Sequence, residues 1–279
     1  MFIKNMVSVY IPTHNRAEML ERAVLSVCKQ TYHSIEIIIS DDGSSDNTAE
    51  IVNRLKQKFE NIYYIRSSIS EGACSARNKA IFFAKGEFIT GLDDDDEFEI
   101  NRIEYLVSTF KMYENLSFVS SGYKVICKDK VFNSCSREKF INLKNLLNIN
   151  MVGNQVLTRT EHLRSIGGFD TRFPLMQDYD CWIRLVSKYG KGLNTGKILY
   201  IMHTEHDKPR ITNKEKLDLG FKLLFLNHKE KMTKNNIKNL NLLYYYFKNN
   251  KINLNVLIKN FTFIWFLKYI KNFVKKPNK

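Results

Sequence analysis

The sequence predicts an α/β protein with a mostly parallel central sheet covered by helices on both faces, followed by a helical tail. Short apolar runs of β character alternate with amphipathic stretches over residues 7–97, a pattern typical of strand–helix–strand units. Five consecutive acidic residues, from Asp93 to Glu97, follow an apolar run that ends at Leu92. A lysine-rich stretch after residue 210 differs in composition from the chain before it.

The first hundred residues contain four predicted strands. Val7–Ile11 is closed by Pro12, and we expect the next helix to begin at Asn15, because Glu18 lies at a capping-box spacing from it. The later elements are a strand over 35–40, a helix after residue 48, a strand over 61–66, a helix over 72–84 and a strand over 88–92. Ligands of open α/β sheets bind beyond the carboxyl ends of the strands, so the acidic run marks the expected site.

The pattern beyond Glu114 is less regular. We expect a strand over 118–123, a hairpin arm within 124–135, a helix over 137–148, a strand over 152–157, a helix that carries Trp182 and a last strand over 198–203. No Gly-x-Gly-x-x-Gly follows the first strand, and Gly-x-x-x-x-Gly-Lys does not occur in the sequence. Ordinary dinucleotide-binding and P-loop sites are therefore disfavoured.

The acidic run has two physical interpretations. Adjacent carboxylates repel one another and raise each other's pKa, so such a run is either fully solvated or held together by a hard cation. Carboxylate oxygens suit Mg²⁺ and Mn²⁺, and Mg²⁺ is usually shared between one or two carboxylates and substrate phosphates. The flanking strand and amphipathic helix favour the metal interpretation, while the solvated acidic loop stays as the alternative.

Composition excludes several classes of protein. No apolar run reaches the roughly 18 residues needed to span a bilayer, and the first residues lack the apolar core of a secretory signal, so we expect a cytoplasmic protein. The five cysteines include no Cys-x-x-Cys pair, which argues against a zinc knuckle or a disulfide framework.

The net charge of +14 is concentrated in the tail. From Ile211 to Lys279 there are fifteen lysines and no arginine against three acidic residues, which leaves only +2 for the first 210 residues. Apolar and basic side chains fall on separate helical faces between Phe263 and Lys276. This pattern is typical of interfacial helices at a membrane surface, and a helix packed on the core is the open alternative. We expect no nucleic-acid binding, because the tail lacks arginine and no recognition fold is apparent.

Six motifs, taken in chain order, resemble those of family-2 glycosyltransferases with the GT-A fold. They are Val9–Arg16, Ser40–Asp46, Ala76-Arg77-Asn78, Leu92–Glu97, Gly167–Asp170 and Gln177–Trp182. The resemblance covers residues 5 to about 206 and includes the members that build bacterial surface polysaccharides of the O-antigen or capsule type. It implies a GT-A domain over 1–210, with a nucleotide-sugar-binding half (1–97) and an acceptor-binding half (98–210), and leaves 211–279 as a basic amphipathic helical extension.

The resemblance implies a site for a UDP-sugar donor. In the family, the loop after the first strand and the Asp-Asp-Gly-Ser turn hold the nucleotide. Asp42 is expected to accept a hydrogen bond from uracil N3–H, although Asp41 and Asp42 also suit a turn without a ligand. The other expected contacts to the nucleotide-sugar are Pro12, Thr13, His14, Asn15, Arg77, Asp93 and Asp94.

The resemblance also implies a divalent metal, Mn²⁺ or Mg²⁺. Aligned as the family's Asp-x-Asp motif, Asp93 and Asp95 fill the two acidic positions, with Asp95 the direct metal ligand. The extra aspartate leaves a one-residue ambiguity in this alignment. Two histidines follow the last predicted strand, and His206 is favoured over His203 as a further metal or phosphate contact.

The catalytic base implied by the resemblance is Asp178, with Asp180 as the competing candidate. A base that takes the acceptor proton during a single in-line displacement inverts the anomeric centre. The Gln-x-x-Arg-Trp motif of processive members is absent, so one sugar per acceptor is expected. The implied acceptor is a glycan or a polyprenyl-diphosphate-linked sugar at the inner face of the cell membrane. A non-catalytic nucleotide-sugar or polyanion binder is the alternative function.

Overall fold

The computed structural model describes residues 1–127, 130–134, 137–153, 155–204, 214–249 and 254–260. The chain forms two compact units. The first consists of Met1–Leu143, Val152–Thr171 and Asp178–Pro209, and the second of Lys144–Met151, Arg172–Gln177 and Arg210–Lys279. The first unit contains the sheet, and the division of 1–210 into two functional halves stays a prediction.

The sheet has the strand order β3-β2-β1-β4-β9-β6-β10-β5, with β7 paired to β6 and β8 paired to β10. Its strands are β1 Ile3–Thr13, β2 Ile35–Asp41, β3 Ile62–Arg66, β4 Gly86–Gly91, β5 Glu97–Phe98, β6 Val119–Cys127, β7 Lys130–Asn133, β8 Lys139–Ile141, β9 Val156–Arg159 and β10 Gly192–His203. The pairings among β3, β2, β1 and β4 are parallel, as is that of β6 with β10. The pairings made by β5, β7, β8 and β9 are antiparallel.

Helices connect most of these strands. They are α1 Ala17–Cys28, α2 Thr48–Lys58, α3 Ala73–Phe83, α4 Arg102–Met112, α5 Leu143–Leu146, α6 Thr160–Ser165, α7 Gln177–Tyr189, α8 Lys214–His228, α9 Lys234–Asn249 and α10 Leu254–Lys259, with a 3₁₀ turn at Lys229–Lys231. None of the helices in the described ranges is both long enough and apolar enough to span a bilayer.

Both faces of the sheet are covered, as the side chains of β1 demonstrate. Val7, Val9 and Ile11 belong to the main hydrophobic core, together with residues of α1, α2 and α4. Because successive side chains of a strand point to opposite faces, Tyr10 lies on the other face, where its ring contacts that of Phe169. Helix α3 packs on this second face against β1 and β2. The predicted α/β architecture is thus confirmed.

Two local predictions were wrong. Helix α1 begins at Ala17, whose N–H donates to Asp46 Oδ2 at 3.3 Å, so Asn15 and Glu18 form no capping box. Asn15 is excluded from the helix by its φ of +54°. The helix expected over 137–148 is reduced to α5, because β8 pairs with β10 and buries Ile141; pairing with a neighbouring strand outweighed the helical spacing of the apolar residues.

The second unit contains α8, α9 and α10 among its described residues. Helices α8 and α9 pack through aromatic rings, since Phe221 lies 5.4 Å from Tyr244 and 6.3 Å from Phe247 between ring centroids. The amphipathic face predicted between Phe263 and Lys276 lies outside the described residues.

A buried carboxylate ties together the ends of the central strands opposite the expected site. Glu36 Oε1 accepts hydrogen bonds from the Ser8 hydroxyl at 2.5 Å, from the Lys85 N–H at 2.5 Å and from the Gly86 N–H at 3.0 Å. A Cβ at Gly86 would lie 2.7 Å from the Met6 carbonyl oxygen, so only glycine allows this approach. Glu36 therefore fixes where β4 begins relative to β1 and β2.

We expect Glu36→Ala to lower the free energy of unfolding by about 3 kcal/mol, because the Lys85 N–H and the buried Ser8 hydroxyl lose this acceptor and the Gly86 N–H keeps only the Ser8 hydroxyl. Glu50→Ala is the matched control, since Glu50 lies exposed on α2 and its loss should change stability by less than about 0.5 kcal/mol. Urea unfolding of both variants measures the difference. Equal effects of the two substitutions would contradict the structural role of Glu36.

Candidate functional site

The site lies where β1, β2 and β4 end. Thr13 at the end of β1 is in register with Asp41 at the end of β2, and Tyr10 is in register with Gly91, the last residue of β4. The loops that follow these parallel strands therefore meet at one edge of the sheet. This is the edge at which open α/β sheets bind ligands.

Asp42 organises the loop after β3. Its carboxylate accepts hydrogen bonds from the Ser70 hydroxyl at 2.6 Å and from the N–H groups of Glu71 at 2.8 Å and Gly72 at 2.7 Å. His14 Nδ1 lies 2.8 Å from the Asp42 carbonyl oxygen. A carboxylate offers about four acceptor positions, of which three are occupied here. Asp42 thus holds the segment from Ser70 to Gly72 in place beside the expected nucleotide site, whether or not its carboxylate also contacts the base.

Asn15 joins the loop after β1 to the turn after β2. Its Oδ1 accepts from the N–H groups of Ser45 at 2.7 Å and Asp46 at 3.3 Å, and its own N–H donates to Ser44 Oγ at 2.9 Å. Asparagine tolerates the left-handed conformation that this geometry needs. Asn15 therefore stabilises the loop that follows Pro12 and Thr13 at the end of β1 and begins at His14. Pro12 and Thr13 are buried, and His14 is exposed.

Each aspartate of the acidic run has its own set of partners. Asp93 Oδ1 accepts from Arg77 Nη2 at 2.9 Å and from Gln155 Nε2 at 3.2 Å. Asp94, only 5% exposed, accepts from the Thr13 hydroxyl at 2.7 Å and from Arg16 Nη1 at 3.0 Å. Burial raises the pKa of Asp94 to about 6, although Arg16 and the Thr13 hydrogen bond oppose this.

Asp95 shares Arg16 with Asp94, whereas Asp96 has other partners. Asp95 Oδ2 accepts from Arg16 Nη1 at 2.9 Å. Asp96, 3% exposed, accepts from the Tyr200 hydroxyl at 2.9 Å and from the His203 N–H at 3.0 Å. Burial, followed by repulsion from Asp93 and Asp95, raises the pKa of Asp96. The solvated-loop interpretation therefore fails for Asp94 and Asp96, which are both buried and both bonded within the protein.

Arg77 lies at the centre of the site. It is 6% exposed, its guanidinium stacks 5.4 Å from the ring centroid of Phe169, and its Nε and Nη1 atoms have no hydrogen-bond partner in the described part of the chain. The side-chain amide of Asn78, the next residue of the motif, holds the backbone of Phe169. Asn78 Oδ1 accepts from the Phe169 N–H at 2.8 Å, and Asn78 Nδ2 donates to the Phe169 carbonyl oxygen at 2.7 Å. The motifs at residues 76–78 and 167–170 are therefore parts of one substructure.

Asp178 shares the electrostatic environment of Arg77 and Asp93. It lies at the start of α7, and its buried Oδ1 has no hydrogen-bond partner among the residues that the structure describes. Burial raises the pKa of Asp178 to about 7; the positive charge of Arg77 opposes this shift and the negative charge of Asp93 adds to it. A carboxyl group with this pKa can exchange a proton near neutral pH.

Asp180, the competing candidate, has a different environment. It is fully buried, and its Oδ2 accepts from Arg184 Nε at 2.7 Å in an i,i+4 pair within α7. A carboxylate held in this way stabilises the helix and is poorly placed to take a proton from a ligand.

The carboxylates fit a divalent cation. Asp93 and Asp95 are partly exposed, with 24% and 17% of their side chains accessible. Within the described ranges, no three His, Cys, Asp or Glu side chains converge on a metal site, and His206 lies outside those ranges. His203 binds Glu97 through its Nε2 at 2.7 Å. The donor set available is thus one or two carboxylates, the number that Mg²⁺ takes when phosphate oxygens supply further ligands.

Sequence reasoning missed several residues of the site. Arg16 bridges Asp94 and Asp95, Gln155 contacts Asp93, and the buried Arg102 donates to the Gln155 carbonyl oxygen at 3.3 Å. Arg16 belongs to the first motif but had no assigned role. Nothing in the sequence indicated Gln155, because its partners Asp93, Arg102 and Tyr10 all lie more than 50 residues away.

Comparison with known proteins adds a family and two curated relatives. The family model described as "Glycosyl transferase family 2" matches residues 8–169. The putative colanic acid biosynthesis glycosyl transferase WcaA of Escherichia coli K12 is 32% identical over 81% of this chain and 82% of its own length. The UDP-Glc:alpha-D-GlcNAc-diphosphoundecaprenol beta-1,3-glucosyltransferase WfgD of Escherichia coli is 31% identical over 65% of this chain and 70% of its own.

Among solved structures, S. aureus TarS 1-349 in complex with UDP-GlcNAc is similar to this chain with a TM-score of 0.72. The match covers 95% of this chain and 79% of the TarS chain at 16% sequence identity. At this identity the likeness establishes the fold.

Proposed function

Because the chain belongs to glycosyl transferase family 2, we propose that it moves one sugar from a UDP-sugar to a hydroxyl of a glycan acceptor, with inversion at the anomeric carbon. The setting would be the synthesis of a bacterial surface polysaccharide. The observation that carries this proposal is the convergence of Asp93, Arg77 and Asp178 at the carboxyl ends of the strands. This convergence joins the expected donor-binding residues to the expected base.

Two observations support UDP-sugar as the donor. WfgD is named for UDP-Glc, and the TarS structure contains UDP-GlcNAc. In this chain, Asp42 and Asn15 hold the loops that would surround the nucleotide. The Nε and Nη1 atoms of Arg77, which have no hydrogen-bond partner among the described residues, offer donors to an anionic ligand.

We propose Mn²⁺ or Mg²⁺ as the cofactor, held by Asp95 and Asp93 with His206 as a further contact. When bound, the cation would stabilise the negative charge that the departing nucleoside diphosphate gains. The side chains of Arg16 and Arg77 would orient the two carboxylates, since each pairs with one of them at 2.9 Å.

Asp178 is proposed as the base that takes the proton from the acceptor hydroxyl. Its raised pKa matches a group that accepts a proton near neutral pH. Its Oδ1 has no partner in the described residues, so a hydroxyl would supply the missing hydrogen bond. Attack from the side opposite the leaving group inverts the anomeric carbon.

The proposed acceptor is a sugar linked to a polyprenyl diphosphate, at the inner face of the cell membrane. WfgD is named for an acceptor of this kind. The fifteen lysines of residues 211–279 suit an anionic leaflet, where each lysine near the surface contributes about 1 kcal/mol of attraction.

A non-catalytic nucleotide-sugar or polyanion binder is the rival function. Such a binder would need the donor site, but it would not need Asp178, whose pKa is raised to about 7 in the presence of Arg77. Release of UDP from several UDP-sugars, with and without Mn²⁺, separates the two functions.

We expect Asp178→Asn to lower kcat for transfer by about 10³-fold, because the amide cannot accept the proton, while UDP binding persists. Asp180→Asn is the matched control on the same helix. It should lower the melting temperature, through the loss of its ion pair with Arg184, and keep kcat within about tenfold. Steady-state kinetics and UDP titrations measure both. Loss of turnover only in Asp180→Asn would transfer the role of base to Asp180.

Dialysis against EDTA should abolish UDP release, and Mn²⁺ or Mg²⁺ should restore it. Asp95→Asn should raise the Mn²⁺ concentration needed for half-maximal rate by at least about tenfold, because a ligand is lost. Glu99→Gln is the control, since Glu99 is a nearby carboxylate paired to Lys124 at 2.6 Å. Full activity in EDTA would refute the metal proposal.

Flotation with vesicles tests the proposed membrane contact. The full chain should bind vesicles that contain anionic lipid, and binding should fall with salt. Neutralising four tail lysines to glutamine should weaken binding by up to about a thousandfold, whereas four exposed lysines of the first unit should matter little. The tail set is Lys268, Lys271, Lys275 and Lys276, and the control set is Lys4, Lys29, Lys56 and Lys58. Equal binding by both variants would contradict this contact.

A further inference from the structure

A buried glutamine side chain connects the acidic run to β1. Gln155 is 3% exposed; its Nε2 donates to Asp93 Oδ1 at 3.2 Å, and its Oε1 accepts from the Tyr10 hydroxyl at 3.0 Å. The orientation of the amide is fixed by chemistry, because an ionised carboxylate only accepts hydrogen bonds. Both polar atoms of the Gln155 amide therefore have hydrogen-bond partners.

The two donors to Asp93 engage the same oxygen atom. Arg77 Nη2 and Gln155 Nε2 both bond to Oδ1, and Oδ2 has no hydrogen-bond partner in the described ranges. Two donors at different positions prevent rotation of the carboxylate, whereas Arg77 alone would leave it free to turn about one contact. Oδ2 is thus left available to a ligand that enters the site.

Tyr10 fixes the glutamine in turn. Burial raises the pKa of Tyr10 well above its ordinary value, so the phenol keeps its proton and donates it to Oε1. Gly91 makes this contact possible, because a Cβ at this position would overlap both Gln155 Oε1 and the ring of Tyr10. Gly91 and Tyr10 are register partners in β4 and β1.

A buried cation holds the backbone of the same glutamine. Arg102 is fully buried; its Nη2 donates to the Gln155 carbonyl oxygen at 3.3 Å, and its guanidinium lies 5.3 Å from the ring centroid of Tyr200. The Tyr200 hydroxyl donates to Asp96 at 2.9 Å. One arginine therefore supports contacts to both ends of the aspartate run.

We propose that Gln155 is a positioning residue for the reaction. It fixes the Asp93 carboxylate so that Oδ2 faces the donor and its cation, and Tyr10 acts on Asp93 through Gln155. This inference rests on the proposed function, because it assigns Oδ2 of Asp93 to the proposed donor and its cation. A glutamine that only filled space in the core would not need a hydrogen bond from its amide to Asp93.

The test compares three side chains of similar length at one position. Gln155→Met removes the donor, and Gln155→Glu removes the donor and adds a charge beside Asp93. Calorimetric titration with UDP at varied Mn²⁺ gives the Mn²⁺ concentration needed for half-maximal binding. We expect this concentration to rise about tenfold in Gln155→Met and further in Gln155→Glu, because a hydrogen bond to a charged group is lost.

Tyr10→Phe provides a milder variant that keeps the ring. It should raise the Mn²⁺ requirement about threefold on its own and leave it unchanged when added to Gln155→Met, because the tyrosine acts through the amide. Gln30→Met is the matched control. Gln30 is also a buried glutamine, but among the described residues its amide bonds only to backbone atoms of Ser26, Glu99 and Ile103. Gln30→Met should therefore lower the melting temperature and leave the Mn²⁺ requirement unchanged.

The outcomes separate this inference from the proposed function. If the wild-type chain shows no Mn²⁺-dependent UDP binding, the proposed function fails and the inference fails with it. If the wild-type chain binds, but Gln155→Met and Gln155→Glu bind equally well and only melt earlier, the inference alone is overturned. Additive effects of Tyr10→Phe and Gln155→Met would overturn the relay through the amide.

Discussion

Repulsion between adjacent carboxylates is the constraint on which the rest of the site depends. Four aspartates follow Leu92, and the protein offsets their repulsion by giving each carboxylate a hydrogen-bond donor or cation as a partner. Asp93 meets Arg77, Asp94 and Asp95 share Arg16, and Asp96 meets Tyr200. These partners come from the loop after β1, from α3 and from β10, so the acidic run contacts several separate elements of the first unit.

Sequence reasoning recovered the features that have a local signature. The alternation of strands and helices and the family membership were predicted and confirmed. The edge of the sheet that carries the site stays a prediction. Turns such as Ser40–Asp46 and Leu92–Glu97 can be recognised in the sequence, because each places polar residues directly after an apolar run. The assigned roles of individual site residues, including Asp178, stay predictions.

What escaped prediction depends on pairing between distant segments. Part of the helix expected over 137–148 is instead the strand β8, because it pairs with β10. A local stretch of sequence does not reveal a pairing with a strand so far along the chain. Gln155 and Arg102 look like ordinary residues of a strand and a helix in the sequence, and only burial against Asp93, Tyr10 and Ser121 gives them a role. The start of α1 was misplaced because Asp46, which lies 29 residues beyond Ala17, accepts the hydrogen bond from the first N–H of the helix.

The direction of β9 has a consequence for how this protein can vary. Since β9 runs antiparallel to β4, the segment entering β9 arrives at the edge where β4 ends. Under the proposed role of Gln155, substitutions in that segment would act on Asp93, although some sixty positions separate the two in the chain. Under the proposed metal role of Asp93 and Asp95, natural variants with altered ion preference should be sought in that entering segment as well as in the aspartates themselves.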